Sequence, residues 1–319
     1  MMDLVSKILA GQQQRKVYVI GAAFVDLVMN TPMLPAKGDD VFVDSSSITV
    51  GGCALNIARI HKSLGLDFVT GIPVGQGLWA NHIRHTLEQE GIAITQERAS
   101  GDNGWCIAMV ERDGERTFLS SAGVEADWTL NHLRALEVES NGIIYLSGYQ
   151  LAADSSGVFL DWIEELDRSV SVLVDLGPRL VDINKEQIQR LQDRGVVFTL
   201  NRREAELMAA EQSVAVFCEE LAVRSRQPVL YRVDKEGAFL FKGNEEPELI
   251  PPFVTTLVDT IGAGDAHAAG FLYGLAMGFS HSEAALIGNA VASDAVAQEG
   301  ASRGITVEQL VMRLVGKKS

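Results

Sequence analysis

The stretch from Gly142 to Phe241 alternates short apolar runs with longer helical patterns. The predicted strands are Ile143–Leu146, Val172–Asp175, Val196–Leu200, Val229–Val233 and Ala238–Phe241. The predicted helices are Ser156–Leu166, Lys185–Arg194, Arg203–Ala210 and Val214–Ser225. Strands that alternate with helices form βαβ units, whose strands lie parallel in one sheet with helices on both faces. The sequence therefore predicts a doubly wound α/β fold, in which ligands bind at the carboxyl ends of the strands.

Further elements flank this stretch on both sides. Before it, Val17–Ile20 and Phe68–Val74 are predicted as strands, and Ala54–Leu64 and Leu78–Glu90 as helices. After it, apolar residues at helical spacing predict three helices: Ala263–Met277, Ser282–Ala297 and Val307–Val315. No linker or internal repeat separates these groups, so we expect one domain over residues 1–319.

Two early segments fit a small β-sheet that lies outside the alternating pattern. Val41–Val50 is strand-like, and Gly104–Ser120 holds two strand-like runs on either side of Asp113-Gly114. An Asp-Gly pair between such runs is a strong hairpin signal. We therefore expect a small β-sheet lid, with strands drawn from about residues 24–50 and 104–120, projecting from the main body.

Charge and hydrophobic pattern exclude several classes of function. Against 42 Asp and Glu the chain has 27 Lys and Arg, a net charge of −15. Such a chain is a poor partner for nucleic acid or an anionic membrane surface, both of which attract clustered basic residues. No apolar run reaches the length of a transmembrane helix. Three widely spaced cysteines lack the spacing of a metal site, so we expect reduced thiols and a cytoplasmic protein.

The segment Asp259–Asp265 opens a predicted helix with a glycine-rich turn, Gly262-Ala263-Gly264. Amides at such a helix start stabilise negative charge. If the turn only bound phosphate, the Asp265 carboxylate would repel the ligand. The carboxylate suits a site where it removes a proton from a hydroxyl while the amides hold the phosphoryl group under attack. Taken alone, the motif also fits an ordinary helix start with an acidic first turn.

Three more polar positions stand near predicted strand or helix ends. Asp26 follows the first strand, Asn56 lies in the helix that Gly51-Gly52 opens, and Asn201 with Glu204 begins the helix after Val196–Leu200. Carboxylates and amides are the side chains that hold polyol hydroxyls. Each position alone also fits a turn residue, a helix cap or a solvated helix residue. Their order along the chain, together with the glycine turn, favours a binding site.

Several common nucleotide and metal motifs are missing from the sequence. There is no Gly-x-x-x-x-Gly-Lys-Ser/Thr phosphate loop, and His267 stands where a dinucleotide fingerprint would need its third glycine. The six histidines lack zinc-type spacing. A P-loop, a dinucleotide fold and a zinc site are therefore unsupported.

The four motifs together resemble the ribokinase-like (PfkB) carbohydrate kinase family. The resemblance runs from about Val17 to the C-terminus, and its most specific part is Asp259–Asp265 followed by Gly270-Phe271. It implies a doubly wound α/β domain with a small lid sheet. It also implies ATP- and Mg²⁺-dependent phosphorylation of a hydroxymethyl group on a sugar, a nucleoside or a related small alcohol. Because many relatives pair through the lid, a homodimer is expected as well.

The resemblance assigns a role to each motif. It makes Asp265 the catalytic base. The anion hole is formed by the amides of Gly262, Ala263, Gly264 and Asp265. The substrate contacts are Asp26, Gly52 and Asn56. The nucleotide region takes Asn201, Glu204, Arg232, Gly237 and Asn289. In that region Glu204 would hold Mg²⁺ through water. Arg232 and Gly237 are not carried over from the family motif: Arg232 is included because a guanidinium can contact a phosphate, and Gly237 because it is the glycine that remains after the Val229 strand. Some relatives also hold a monovalent cation near the position of Asp259.

This chain departs from the family pattern at four positions. Phe24 and Cys53 stand where ribokinases proper carry Asn and Lys, which argues against ribose. Arg232 and Asp234 stand where many members carry the Thr and Gly of a nucleotide-binding loop. A sugar kinase is the main prediction. A nucleoside kinase and a non-catalytic ligand-binding member are the alternatives.

Overall fold

The computed structural model describes residues 2–113, 115–154, 156–300 and 304–316. Its fourteen described strands, β1 to β14, are Val17–Ile20, Phe24–Asn30, Ser45–Gly51, Phe68–Gly71, Pro73–Val74, Gln96–Glu97, Trp105–Val110, Arg116–Ser121, Ile143–Ser147, Ser171–Asp175, Val197–Leu200, Val229–Arg232, Ala238–Phe241 and Glu248–Ile250. Its twelve described α-helices, α1 to α12, are Met2–Ala10, Cys53–Ser63, Leu78–Gln89, Leu130–Arg134, Gly148–Ala153, Val158–Glu165, Lys185–Arg194, Arg202–Ala209, Val214–Ser225, Ala263–Ala276, His281–Ala295 and Val307–Val315.

Eight strands form the central sheet, in the order β14-β13-β12-β11-β10-β9-β1-β4. The six strands from β12 to β4 are parallel, and β13 and β14 join antiparallel at one edge. Buried strands of this kind are apolar along their whole length, and all four residues of β1 and of β11 are buried. The predicted doubly wound, mainly parallel sheet is confirmed.

Two apolar cores cover the two faces of the central sheet. One contains residues of α2, α3, α10, α11 and α12, and the other contains residues of the helices from α4 to α9. Helix α3 buries one stripe, as the alternating pattern predicts, whereas α10 is buried continuously from Ala266 to Ala276. The carboxyl ends of β9 to β12 and the start of α10 lie together at one edge of the central sheet.

A second sheet has the strand order β3-β2-β7-β8. We call it the small sheet. Its outer pairs are antiparallel, and its central pair, β2 and β7, is parallel. The predicted hairpin is present as β7 and β8, which pair Trp105 with Ser121 and Val110 with Arg116. The small sheet is thus confirmed in the segments where the sequence placed the lid strands.

Several strand boundaries differ from the predictions by one residue, and two strands differ more, each for a local reason. The predicted strand Val41–Val50 begins only at Ser45, because its partner β2 ends at Asn30 and leaves the preceding residues without a ladder. The predicted strand Phe68–Val74 divides after Gly71. Its first part pairs with β1 in the central sheet, whereas Pro73 and Val74 pair with β6. These apolar runs were correctly read as extended, but sequence periodicity does not reveal a change of partner.

Helices α10 and α11 pack with their backbones close together. A Cβ atom on Gly274 would lie 2.6 Å from Ala284 Cα, and one on Gly270 would lie 2.9 Å from Gly288 Cα. Such distances leave no room for a side chain, so glycine is required at this helix crossing. The crossing fixes α10, whose first turn carries Asp265.

We expect Gly274→Val to lower the free energy of unfolding by about 1–3 kcal/mol, because overpacking forces the two helices apart. Urea denaturation followed by circular dichroism measures the change. Met312→Val is the control, since Met312 on α12 is 64% exposed. Equal midpoints for the two variants would show that α10 and α11 separate without cost.

Candidate active site

The glycine turn before α10 forms a helix N-terminus with free backbone donors. Gly262 is the N-cap residue and has a φ of 72°, in the left-handed region that favours glycine. The first amides of a helix have no intrahelical acceptor. The Ala263 amide donates to the Thr260 carbonyl oxygen at 3.2 Å. Within the described part of the chain, the amides of Gly264 and Asp265 have no such acceptor, so they are the donors best placed for an anion.

Asp265 lies in the first turn of α10 and contacts Asn56 of α2. The Asn56 Nδ2 atom donates to Asp265 Oδ2 at 2.7 Å, and Asn56 itself is buried. The Asn56 Oδ1 atom is also buried and has no hydrogen-bond partner among the described residues. Burial raises the pKa of Asp265 to about 6; the Asn56 hydrogen bond lowers this pKa and the charge of Asp175 raises it. The structure thus brings together the predicted base and one predicted substrate residue.

Gly52 explains why α2 can begin where it does. Its φ is 112°, and a Cβ atom there would lie 2.4 Å from the Ala22 carbonyl oxygen. Only glycine fits a backbone conformation and an approach of this kind. The Asn56 amide then donates to the Gly52 carbonyl oxygen at 2.9 Å. The Gly-Gly turn therefore sets the position of the first turn of α2 and, with it, of Asn56.

Asp26 lies within β2 of the small sheet, whereas the sequence placed it just beyond the first strand. It is in register with Thr49 on one neighbour and Cys106 on the other. A Cβ atom on Gly51, which lies on β3 and pairs with Phe24, would lie 2.9 Å from Asp26 Oδ2, so the carboxylate occupies the space that glycine leaves. Burial raises the pKa of Asp26 to about 6. The carboxylate is partly desolvated, which suits it to accept hydrogen bonds from ligand hydroxyls.

Arg232 ends β12 and lies among acidic side chains from neighbouring elements. Its Nη2 atom donates to Asp175 Oδ1 at 3.3 Å and lies 3.7 Å from Glu204 Oε2. A Cβ atom on Gly264 would lie 2.7 Å from Arg232 Nη1, so the guanidinium lies against the first turn of α10. The predicted nucleotide residue therefore stands directly beside the predicted anion hole.

Asn201 and Glu204 form a capping box at the start of α8. The Glu204 amide donates to Asn201 Oδ1 at 2.9 Å, and the Asn201 amide donates to Glu204 Oε2 at 2.9 Å. The Asn201 Nδ2 atom also donates to Glu204 Oε1 at 2.6 Å. Burial raises the pKa of the Glu204 carboxyl, as does the charge of Asp175. Both residues line the cavity described below, but much of their bonding capacity is used in capping.

Gly237 and Asn289 support the nucleotide side of the site through the backbone. Gly237 has a φ of 97°, and a Cβ atom there would lie 2.3 Å from the Ile250 carbonyl oxygen. The Asn289 Nδ2 atom donates to that same oxygen at 3.0 Å and to the Pro251 carbonyl oxygen at 3.1 Å. Asn289 Oδ1 faces the ring of His267 at 3.1 Å. Asn289 therefore holds the wall of the site and has little capacity left to bind a base.

One cavity of about 970 Å³ joins most of these residues. Its polar part is lined by Asp175, Glu204, Arg232, Gly264 and Asp265. Its apolar part is lined by Pro252, Phe253, Val254, Leu257, Ala292 and Val296. The predicted substrate residues Asp26, Gly52 and Asn56 lie outside this lining, and Asn56 contacts it through its hydrogen bond to Asp265. A ligand with an apolar ring and an anionic group fits the two parts of the cavity.

Asp175 is the main site residue that sequence reasoning missed. It ends β10, is 8% exposed, and contacts Arg232 from the neighbouring part of the sheet. The signal was available, because a carboxylate at the carboxyl end of a predicted parallel strand lies at the ligand-binding edge. Ser147 and Tyr149, at the end of β9 and the start of α5, line the same cavity and were missed too.

The four departures from the family pattern have distinct environments. A Cβ atom on Gly104 would lie 2.6 Å from the Phe24 ring, so Phe24 packs against the start of β7. Cys53 lines the cavity, and burial raises the pKa of its thiol, which keeps it protonated. Asp234 has a φ of 53°, a conformation that glycine adopts without strain. Its carboxylate pairs with Arg202 at 3.0 Å, near the mouth of the cavity.

No group of three or more His, Cys, Asp or Glu side chains is arranged to hold a metal ion in the part of the chain that the structure describes. No helix among the described residues is both long and apolar enough to cross a membrane.

Comparison with known proteins gives a consistent result. The chain matches the pfkB family carbohydrate kinase over residues 14–307. It is 42% identical over 303 residues to the uncharacterized sugar kinase YegV of Escherichia coli K12, covering 94% of each protein. It is 26% identical to 1-phosphofructokinase of the same organism, covering 88% of this chain and 90% of that protein.

Solved structures share the fold at lower identity. Ribokinase from Thermotoga maritima superposes with a TM-score of 0.79 at 22% identity, covering 95% of this chain and all of that one. The nucleoside kinase of Methanocaldococcus jannaschii gives a TM-score of 0.77 at 20% identity, covering 96% and 100% of the two chains. The sequence match and the fold agree with the site geometry, and the chain belongs to the PfkB family of carbohydrate kinases.

Proposed function

We propose that the protein transfers the γ-phosphate of ATP to a hydroxymethyl group of a sugar or sugar-like molecule, with Asp265 as the general base. The contact that carries this proposal is the hydrogen bond from Asn56 Nδ2 to Asp265 Oδ2. It links Asn56, a predicted acceptor residue, to a carboxylate in the same first turn of α10 as the amides of Gly264 and Asp265. Base and anion donors thus meet at one point, as attack by a hydroxyl on a phosphoryl group requires.

The chemistry follows from the positions of these groups. A sugar hydroxyl ionises far above neutral pH, so its proton must leave as the new bond to phosphorus forms. Asp265, with a pKa of about 6, is ionised at neutral pH and can accept that proton. The amides of Gly264 and Asp265, with that of Gly262, hold the transferring group. Phosphoryl transfer then depends mainly on alignment and on neutralised charge.

The two parts of the cavity support ATP as the donor. The apolar part next to α11, including Phe253, Leu257 and Val296, suits a nucleobase, and Asn289 and Gly237 hold its wall. The polar part, at the start of α10, suits phosphates. One continuous cavity connects the apolar part with the polar part. The nucleotide therefore enters from one side of Asp265 and the acceptor from the other.

The acidic residues fit a magnesium ion that the nucleotide brings with it. Mg²⁺ keeps several waters and binds proteins through one or two carboxylates together with substrate phosphates. Asp175 and Glu204 are two cavity-lining carboxylates of this kind, and the capping contacts of Glu204 favour an interaction through water. When bound, Mg²⁺ neutralises phosphate charge. A monovalent cation near Asp259 and a cytoplasmic location stay predictions.

The acceptor side suits a polyol. Asp26 supplies a partly desolvated carboxylate, and Asn56 supplies a buried oxygen that has no partner within the described chain. Both accept hydrogen bonds, so they favour a ligand with several hydroxyl donors. Phe24 packs near Gly104 at the base of the small sheet. The small sheet would act as a lid that excludes water and limits wasteful hydrolysis of ATP.

Asp265→Asn tests the base. The substitution keeps the size of the side chain but removes the proton acceptor, so kcat should fall by about 100-fold or more. ADP release measures turnover. Calorimetry measures binding of whichever acceptor a panel of sugars and nucleosides identifies. Turnover close to that of the unchanged protein would contradict the assignment of Asp265 as base.

The pH dependence of kcat/KM is a second test of Asp265 as the base. Because burial raises the pKa of both Asp265 and Asp26 to about 6, kcat/KM should rise as pH increases through about 6 and then level off. The folded-state pKa lies above the unfolded value of 3.8, so ionised Asp265 costs stability above about pH 6. Asp265→Asn should therefore raise the melting temperature at pH 8 and change it less at pH 5.

A panel of acceptors identifies the substrate class. The protein with ATP and Mg²⁺ is incubated with aldoses, ketoses, sugar alcohols, sugar phosphates and nucleosides, and ADP is measured. We expect release with sugars or sugar alcohols and little with ribose, because Phe24 and Cys53 replace the ribokinase residues. Release with nucleosides alone would support a nucleoside kinase. A sugar that raises the melting temperature but never yields ADP would support a non-catalytic binding protein.

The outer face of the small sheet supports a homodimer. Leu27, Ile48, Ile107 and Leu119 are opposed in register across all four strands. Ile48 and Leu119 are the two outer residues of this apolar row. The two residues are nevertheless 52% and 58% exposed. Exposed apolar rows on sheets with free edges favour association. A second copy of this chain would cover the row.

Analytical ultracentrifugation at micromolar concentration tests the dimer. We expect a particle of twice the chain mass, and a monomer for the double variant Ile48→Lys/Leu119→Lys, because two charges would be buried on pairing. Val216→Lys, at an exposed position of α9, is the control and should stay dimeric. A monomeric unchanged protein would contradict the proposal.

A further inference from the structure

The guanidinium of Arg232 is nearly buried and makes little use of its hydrogen-bonding capacity. The side chain is only 12% exposed. Within the described chain, its one hydrogen bond joins Nη2 to Asp175 Oδ1 at 3.3 Å. Glu204 Oε2 lies 3.7 Å away, beyond hydrogen-bonding distance. The Nε atom is buried and has no partner among the described residues.

This environment keeps the charge but leaves its donors unsatisfied. A guanidinium has five N–H donors in a fixed plane. Burial works against the charged form, yet Asp175 and Glu204 raise the pKa of Arg232, so it stays protonated. A buried donor without an acceptor is costly. The arrangement is therefore incomplete without an acceptor that has several oxygen atoms.

The unused Nη1 donors of Arg232 face the anion-binding turn. Arg232 Nη1 lies 2.7 Å from the position of a Cβ atom on Gly264, and Cζ lies 3.7 Å from it. Any side chain at position 264 would meet the guanidinium, which gives Gly264 a role beyond the turn itself. Arg232, Gly264 and Asp265 line the same part of the cavity. Two kinds of donor, side-chain and backbone, thus converge on one small volume.

We propose that Arg232 is a further catalytic residue, whose guanidinium binds the oxygens of the phosphoryl group that is transferred, opposite the amides of Gly264 and Asp265. The proposal rests on the proposed kinase function. A planar guanidinium matches phosphate with two parallel hydrogen bonds. Asp175 acts as a positioning residue, because its contact with Nη2 fixes the plane of the guanidinium and leaves the other edge free.

The local charges explain why a cation is needed at this place. Asp175, Glu204 and Asp265 all lie near the point where the phosphates would bind, and Coulomb interactions link each of them to Arg232. Three carboxylates without a cation would repel an incoming phosphate. Arg232 offsets this repulsion from within the protein and adds charge stabilisation as the phosphoryl group moves.

The test compares Arg232→Met with the control Arg224→Met, at an exposed position of α9 that pairs with Glu220. Binding of a non-hydrolysable ATP analogue and of AMP is measured by calorimetry without acceptor. We expect Arg232→Met to weaken the analogue by about tenfold or more and AMP by less than about twofold, because AMP lacks the outer phosphates. With acceptor, kcat should fall by about 100-fold or more. The control should match the unchanged protein in every measurement.

Arg232→Lys keeps the charge if the Met variant fails to fold. It should bind the analogue less tightly than the unchanged protein, since a lysine cannot form the two parallel bonds. Equal loss of AMP and analogue affinity would indicate a merely structural role and overturn the proposal, as would unchanged analogue binding in either variant. The unchanged protein could release no ADP with any acceptor while the Arg232 variants still lose more affinity for the ATP analogue than for AMP. That result would support the phosphate contact of Arg232 and contradict the kinase function.

Discussion

The hydrogen bond between Asn56 and Asp265 is the contact on which the rest of the site depends. It joins the first turns of α2 and α10, which come from opposite ends of the chain, at 2.7 Å. Each helix begins after a glycine with positive φ, Gly52 or Gly262, so both turns can approach closely. Asn56, the proposed base Asp265 and the amides at the start of α10 are therefore held in one frame. A shift of either helix would separate Asn56 from Asp265.

Charge balance is the second constraint on this frame. Asp265, the proposed base, has to be ionised to accept a proton, but burial raises its pKa to about 6. Asp175 and Glu204 add negative charge nearby, and Arg232 offsets it. The same guanidinium faces Gly264 and can meet an incoming phosphate. One cation thus makes the acidic site compatible with an anionic ligand.

Much of the fold was predictable because it depends on local patterns. Buried parallel strands and amphipathic helices leave different periods in the sequence, and the alternation from Gly142 to Phe241 required a doubly wound sheet. The predictions failed where pairing partners changed, as at Gly71, where the chain leaves the central sheet. The short helix Gly148–Ala153 was missed because one and a half turns leave too weak a period to detect.

The sequence by itself determined which chemical groups stand near helix starts, Asn56, Glu204 and Asp265, and that Asp26 follows the first strand. Their local settings follow from short-range rules, such as glycine at a positive φ and a capping box at Asn201. Only the tertiary structure decided which of them meet. Arg232 pairs with Asp175, 57 residues earlier, because β10, β11 and β12 lie side by side and their carboxyl ends share one edge. Long-range packing sets such pairings, and no local pattern encodes them.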